Sequence, residues 1–456
     1  MRIRAIALSA VLAVTLIAAP PGQASTEPIV TRIRLTLETT SDWATATFLD
    51  GRLIGAVPGP APAGAEVVHS GRSFGLRATQ PARATVDLVV DLGPNAEPAL
   101  RLRKGDLGWA TVTVQRMNGA DQTVVAVVRN DRPDGNAVQP RIARAALAGT
   151  GLALPKVDDR RLVLAFYYPW FKGDSFEGGA WTDTPSTPWA TDEPAAVADM
   201  VRLAKGAGVD GFVASWNGTD TVAARFELLL DTAEATGGFQ VAPYLELLGT
   251  EHQSVSGVVD SARRALAHAD RPAFLHAGGR PVMFVYGSWT VDAPRWTAIR
   301  QGVAAEGLDP FFVGDSTDAA YGFDGYHLYN PNRYDPAELR DLNRRMMLDL
   351  RVPTELQPDV PQRLWAATVS PGQNNLARNP IGGRYRSRDG GLRYDRTWSA
   401  ALASEPDWVL ITSWNEWYEA THIAPGGSTG WRALDQTRQW SDRFAPTSQS
   451  SGTTPE

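Results

Sequence analysis

Two glutamates three residues apart, Glu416 and Glu419, lie in the run Ser413-Trp414-Asn415-Glu416-Trp417-Tyr418-Glu419. On a helical turn that spacing puts both side chains on one face, with Cβ atoms about 5–6 Å apart. Two carboxyls so close, in a cleft of mixed polarity, are driven to different pKa values. One then keeps a proton while the other stays ionised, which is the equipment for cleaving a glycosidic bond. An isolated Glu-x-x-Glu is more commonly a solvated helix start, its charges favoured by the helix dipole. Here the pair follows the apolar run Val409-Leu410-Ile411 and is interleaved with Trp414, Asn415 and Trp417. Those residue types are costly at a surface, so the context favours a built site.

Other chemistries find less support. The six histidines (His69, His252, His268, His276, His327 and His422) show no HxxxH or HxH spacing, which argues against a zinc site. No Gly-x-Ser-x-Gly elbow follows an apolar strand, so a Ser-His-Asp hydrolase is disfavoured. There is no cysteine, which excludes disulfides and thiol chemistry. The net charge of −6 offers no basic field for nucleic acid or an anionic membrane. Fifteen tryptophans are many for 456 residues. A core absorbs some of them, but indole also stacks on the apolar faces of sugar rings.

The elements that must carry the glutamates start at Leu162. From there short apolar runs alternate with longer amphipathic stretches, the pattern of βα units. The strands are read as Leu162–Tyr168, Gly211–Trp216, Val241–Glu246, Val282–Tyr286, Phe311–Asp315, Gly325–Tyr329, Arg363–Val369 and Trp408–Trp414. Glu193–Ala204, Phe226–Thr236 and Val258–Ala269 have helical apolar spacing. Eight such units over residues 161–443 predict a (β/α)8 TIM barrel. An open doubly wound sheet is the runner-up, but no Gly-rich phosphate loop follows a strand.

A barrel of this kind works at the carboxyl ends of its strands. Those ends present Tyr168 and Trp170, Trp216 and Asn217, Glu246, Tyr286, Asp315, His327 and Tyr329, Ser370-Pro371-Gly372, and Asn415 with Glu416. Each alone is unremarkable, but gathered on one rim they suit a neutral polyhydroxylated ligand, which needs stacking faces and planar hydrogen-bonding groups. Glu416 and Glu419 are therefore the candidate catalytic residues. The candidate substrate contacts are Tyr168, Trp170, Trp216, Asn217, Glu246, Tyr286, His327, Tyr329, Asn415, Trp417 and Tyr418.

Ahead of the barrel, residues 25–130 alternate apolar and polar positions over short runs such as Ile33-Arg34-Leu35-Thr36-Leu37, separated by Gly, Pro, Asn and Asp. That pattern predicts an all-β sandwich, a structural or accessory module for which sugar binding is conceivable by analogy of fold. Residues 131–160 read as a linker with a short helical piece and 444–456 as a disordered tail. Residues 1–24 have the basic start, apolar stretch and small-residue end of a signal peptide. The expectation is a secreted monomer, not inserted in a membrane once the signal is cleaved.

Three motifs carry a family resemblance: Phe166-Tyr167-Tyr168-Pro169-Trp170-Phe171, Gly208-Val209-Asp210-Gly211-Phe212-Val213-Ala214-Ser215-Trp216, and Ile411-Thr412-Ser413-Trp414-Asn415-Glu416-Trp417-Tyr418-Glu419. Over about residues 160–440 the chain resembles glycoside hydrolase family 99, the endo-acting α-mannosidases and α-mannanases. The resemblance implies a TIM barrel that cleaves within α-mannoside chains with retention and without metal or other cofactor. It implies that Glu419 protonates the leaving oxygen and later activates water. It implies that Glu416 assists attack by the substrate's own 2-hydroxyl through a 1,2-anhydro sugar. Glu246 and Tyr329 match positions that line the family's site. The chain departs from the family where Asn-Glu-Trp-His-Glu-Gly-Thr-Gln is usual and Asn415-Glu416-Trp417-Tyr418-Glu419-Ala420-Thr421-His422 stands instead. Tyr418 and Ala420 alter the subsite, which keeps two alternatives open: an α-glucanase of a related barrel family, or a non-catalytic glycan-binding protein.

Overall fold

The structure, a computed structural model, describes residues 15–16, 28–134, 136–187, 189–248 and 254–445. The signal peptide read at residues 1–24, apart from Thr15–Leu16, and the tail beyond 445 lie outside the described residues. The chain forms two compact units, Met1–Pro155 with Arg351–Pro361, and Lys156–Leu350 with Gln362–Glu456.

The first unit is built from two antiparallel sheets. In one, Ile29–Thr39 pairs with both Ala82–Leu92 and Ala110–Asn118, with Arg52–Pro58 and Asp121–Asn130 outside them. The other runs in the order Ala65–Ser70, Ser73–Ala78, Trp43–Leu49, Ala99–Lys104. Period-two patterning decides which face is buried. Ala44, Ala46 and Phe48 of one sheet and Ile33, Leu35 and Leu37 of the other enter a single apolar core. This is the expected sandwich. The reading of residues 131–160 as linker needs correction, because most of that stretch folds onto the sheets. Val138 exchanges backbone hydrogen bonds with Leu102, and Ile142 donates to the Pro98 carbonyl. A short helix, Arg144–Ala148, buries Leu147 in the core. The polar residues around these few apolar anchors hid them from a composition-based reading.

The second unit is the expected eight-stranded parallel barrel. Its strands are β1 Val163–Tyr167, β2 Gly211–Trp216, β3 Gln240–Glu246, β4 Arg280–Tyr286, β5 Phe311–Asp315, β6 Gly325–His327, β7 Leu364–Val369 and β8 Trp408–Ile411. Each pairs in parallel with the next, and β8 pairs with β1 to close the ring. Every residue of β1, β2, β5, β6, β7 and β8 is buried, which is why these strands read as continuous apolar runs rather than alternating ones. The outer ring contains α1 Pro194–Gly206, α2 Asp220–Thr236, α3 Val255–Leu266, α4 Ala293–Ala305, α5 Pro336–Leu356, α6 Leu392–Leu402 and α7 Arg432–Phe444. Between β5 and β6 stands only a 3-10 turn, Ala319–Tyr321, in place of an outer helix. Three strands end earlier than the apolar run indicated: β1 stops at Tyr167, β6 at His327 and β8 at Ile411. The residues freed, Tyr168, 328–329 and 412–414, lie in rim segments instead.

Candidate active site

The loop after β8 is held by its own hydrogen bonds rather than by helix formation. Ser413 Oγ accepts from the Glu416 backbone N–H at 2.9 Å, and Glu416 Oε1 accepts from the Tyr418 N–H at 2.9 Å. Residues 417–420 form turns, not the helical turn that the spacing suggested. Asn415 ties this loop to the end of β1: Oδ1 accepts from the Tyr168 N–H at 2.8 Å, and Nδ2 donates to the Tyr168 carbonyl at 3.0 Å. Thr412 Oγ1 donates to the Tyr329 carbonyl at 2.6 Å, joining β8 to the loop after β6. The loop is thus clamped from both sides, and the two carboxyls share one electrostatic environment.

Glu416 is buried, 5% exposed. Burial pushes its carboxyl well above the usual range, and the negative charge of Glu419 adds to the shift. Burial raises Glu419 too, but Arg384, a hydrogen bond from Gln373 Nε2 at 3.2 Å, and Arg333 pull it back. Two further carboxyls face the same rim. Glu246 is raised to about 7 by burial, although Ser215 Oγ donates to its Oε1 at 2.7 Å. Asp315 is raised to about 7 by burial, although it accepts from the Tyr329 N–H at 3.0 Å. The Tyr168 and Tyr329 hydroxyls meet at 2.5 Å, and burial holds both phenols well above their ordinary pKa. Burial thus disfavours the charged form of each of these carboxyls and phenols.

Beside this group opens a cavity of about 570 Å³ lined by Glu419, Tyr286, Tyr329, Asp315, Gln373, Arg333 and Arg384, with Trp289 at its edge. Of the residues singled out in the sequence, Glu419, Tyr286 and Tyr329 line the cavity. Glu416, Glu246 and Tyr168 join them electrostatically: Glu416 and Glu246 both raise Tyr168, and Glu246 raises Glu416. Trp170 packs its ring 4.7 Å from that of Tyr168. Tyr418, 36% exposed, stacks on Trp181 at 5.1 Å, and the Arg378 guanidinium lies 4.3 Å over its ring. Asn415 holds backbone rather than facing the cavity.

Four candidates fall elsewhere. Trp216 is fully buried, and its indole N–H donates to Ser261 while its ring packs on Phe226, so it is a strand-to-helix contact. Asn217 accepts from the Thr219 N–H and hydroxyl, shaping the entry to α2. His327 is fully buried among the rings of Phe166, Tyr244 and Phe284, 5.6–5.7 Å away. Burial pushes it down to about 3, so it is neutral and part of the barrel interior. Trp417 is buried against His422, with ring centroids 3.9 Å apart. Strand-end position alone does not say whether a side chain points up from the rim, into the barrel or out toward a helix. Conversely, Gln373 in the short strand Gln373–Asn374, Arg333 in the 3-10 turn Pro331–Arg333, and Arg384 stand in rim connections whose course no periodicity reveals. Asp315 was visible at a strand end but lacked a recognisable partner. Among the described residues no group of three or more His, Cys, Asp or Glu side chains has the geometry to hold a metal ion.

No known protein-family profile matches the chain. The glycoprotein endo-alpha-1,2-mannosidase of Rattus norvegicus is 24% identical over 228 residues, covering 42% of this chain and 46% of that protein. The uncharacterized protein WxcX of Xanthomonas campestris pv. campestris is 31% identical over 206 residues, 38% of this chain and 29% of that protein. The matched stretch thus spans less than half the length of these relatives. Among solved structures, the GH99 endo-alpha-mannosidase from Bacteroides thetaiotaomicron superposes with a TM-score of 0.53 at 21% identity, covering 64% of this chain and 100% of that one. The fold is a TIM barrel, and the chain is similar in sequence and fold to the GH99 endo-alpha-mannosidases.

Proposed function

We propose that the protein is an exported glycoside hydrolase that cleaves internal α-mannosidic linkages of a polysaccharide. The observation that supports this most is Glu416 and Glu419 sharing one buried rim beside a polar cavity with several convergent hydrogen-bonding groups. The resemblance in sequence and fold to GH99 endo-alpha-mannosidases points the same way.

In this reading Glu419, which lines the cavity, delivers a proton to the leaving glycosidic oxygen. Glu416 takes the proton of the sugar's 2-hydroxyl as that oxygen attacks C1, giving a 1,2-anhydro sugar. Water then opens it: Glu419 takes a proton from the water, whose oxygen attacks C1, and Glu416 returns its proton to O2. Both inversions occur on one sugar, so the anomeric configuration is retained. The cycle needs one proton on the pair. In the free protein burial favours that proton on Glu416, while Arg384 and Arg333 favour charge on Glu419. The chemical step starts from the form in which Glu419 carries the proton. The two titrations belong to the pair rather than to either residue.

The alternative substrate, an α-glucan, is motivated by Tyr418, which replaces a histidine of the family pattern and builds a platform with Trp181 beneath Arg378. The deciding experiment incubates the purified protein with a panel of α-mannans and α-glucans, sizes the products and follows the first-formed anomer by NMR. Shorter chains from α-mannan with retained configuration are expected. Cleavage of α-glucan alone would move the assignment to glucanase. No new reducing ends on any polymer would leave a glycan-binding protein.

A further inference from the structure

The outer face of the four-stranded sheet in the first unit carries a depression that the barrel chemistry does not use. Its register places three rows of side chains across the strands. Val68, Gly75 and Thr45 form the middle row, with Arg103 next to Thr45. Glu66, Arg77 and Trp43 form the row on one side, and Ser70, Ser73 and Thr47 the row on the other. Gly75 leaves the centre of the pattern empty, and a cavity of about 260 Å³ opens there, lined by Trp43, Thr45, Val68, Ser70, Ser73 and Arg77.

Nothing in the backbone asks for glycine at that position. Its φ is not in the left-handed region, and a Cβ would meet Thr45 Oγ1 and the Val68 carbonyl at 3.5 Å, ordinary contact distances. Glycine in a strand interior weakens the strand and gives it no side chain to pack, and commonly marks a place where a ligand approaches the backbone. Four residues of strand separate Arg77 from Ser73, about 13 Å at 3.3 Å per residue. The gap has room for one sugar ring and not for a folded segment. Its walls are also of the right kind: an indole as a flat apolar surface, hydroxyls at the opposite side, and a guanidinium beside Glu66, 3.7 Å away. A pyranose has an apolar C–H face and a girdle of hydroxyls, and these groups complement both. A peptide would add to a sheet edge instead, through main-chain hydrogen bonds.

We infer that the sandwich carries a sugar-binding site centred on Gly75, taking one neutral pyranose unit of a polysaccharide against Trp43. The site belongs to the sandwich and not to the barrel, and its ligand class does not depend on which linkage the barrel cleaves. The test is native electrophoresis of the full chain through gels containing branched α-mannan or dextran, compared with plain gels. Gly75→Val fills the depression with a good strand former, so its thermal transition should match or exceed that of the parent. Trp43→Ala removes the stacking face. The parent should be retarded by at least one polymer, and each variant should show at least a ten-fold weaker apparent affinity for it. A parent that migrates freely in both gels, or a folded Gly75→Val that is retarded like the parent, overturns the inference. Cleavage of a short soluble α-oligosaccharide by the parent reads the barrel separately, so failure of the sandwich site and failure of the glycosidase reading remain distinguishable.

Discussion

Glu416 and Glu419 differ less in type than in company. Glu416 is enclosed by the loop that carries it, while Glu419 meets solvent, Gln373 and two arginines. If the pair performs acid–base work, Glu416→Gln and Glu419→Gln should each lower turnover by about 10²–10⁴-fold, the usual contribution of such groups. The thermal transition should hold or rise, because each change removes a carboxyl whose charged form burial disfavours. Turnover within a factor of two of the parent in both variants would place the chemistry elsewhere. Both carboxyls are raised by burial, so the rate–pH profile should be a bell with both limbs above the ordinary carboxylate range of about 4. The alkaline limb falls as the pair loses its last proton. A profile flat from pH 5 to 9 would refute a shared proton.

The loop after β8 matters as a unit, because it converts a buried strand into a presented pair of acids. Asn415 is its main fastening. Asn415→Ala would orphan a backbone donor and a backbone acceptor of Tyr168, at about 1–3 kcal/mol for each buried group left unpaired. A lower melting temperature together with a loss of turnover is expected, and an unchanged melting temperature would show that the clamp is dispensable. Ala420 closes the same loop at φ +50°, where the family pattern has glycine. A non-glycine residue in this region costs about 1–2 kcal/mol. Glycine would relieve that but add about 0.4–1 kcal/mol of unfolded-chain entropy. Ala420→Gly should therefore stabilise the protein by up to about 1 kcal/mol, measured by denaturant midpoint.

For the whole molecule, the buried acids set a pH dependence. Glu246 and Asp315 stand near 7 in the folded chain, above the ordinary range for carboxyls. Between about pH 4 and 7 the folded state keeps protons that the unfolded state has lost, so unfolding releases protons and stability falls as pH rises. Well above 7 both groups are ionised in the folded and unfolded chain alike and add no further slope. Burial holds His327 and His422 down to about 3 and about 4, so they act in the opposite sense below about 6.5, and the acids are read as a difference between two chains: Glu246→Gln should lose less stability than the parent from pH 5 to 7.5, measured by melting temperature. Identical melting-temperature profiles for the parent and Glu246→Gln across this window would contradict the burial of that carboxyl.

The sequence alone determined the barrel, because strands buried on both faces must be apolar throughout and the helices between them must be amphipathic; both periodicities are local. It also determined the sandwich through its alternation and the presence of the glutamate pair beside tryptophans. Only the tertiary structure decided which strand-end residues face the cavity: Tyr329 and Tyr286 turn to it, while His327 turns into the barrel and Trp216 toward α3. Gln373, Arg333 and Arg384 are supplied by rim connections, and residues 131–155 fold onto the sandwich through a few anchors. Strand periodicity fixes the face of a side chain within its element, whereas the direction of a strand's last residue and the path of a loop depend on neighbours distant in sequence.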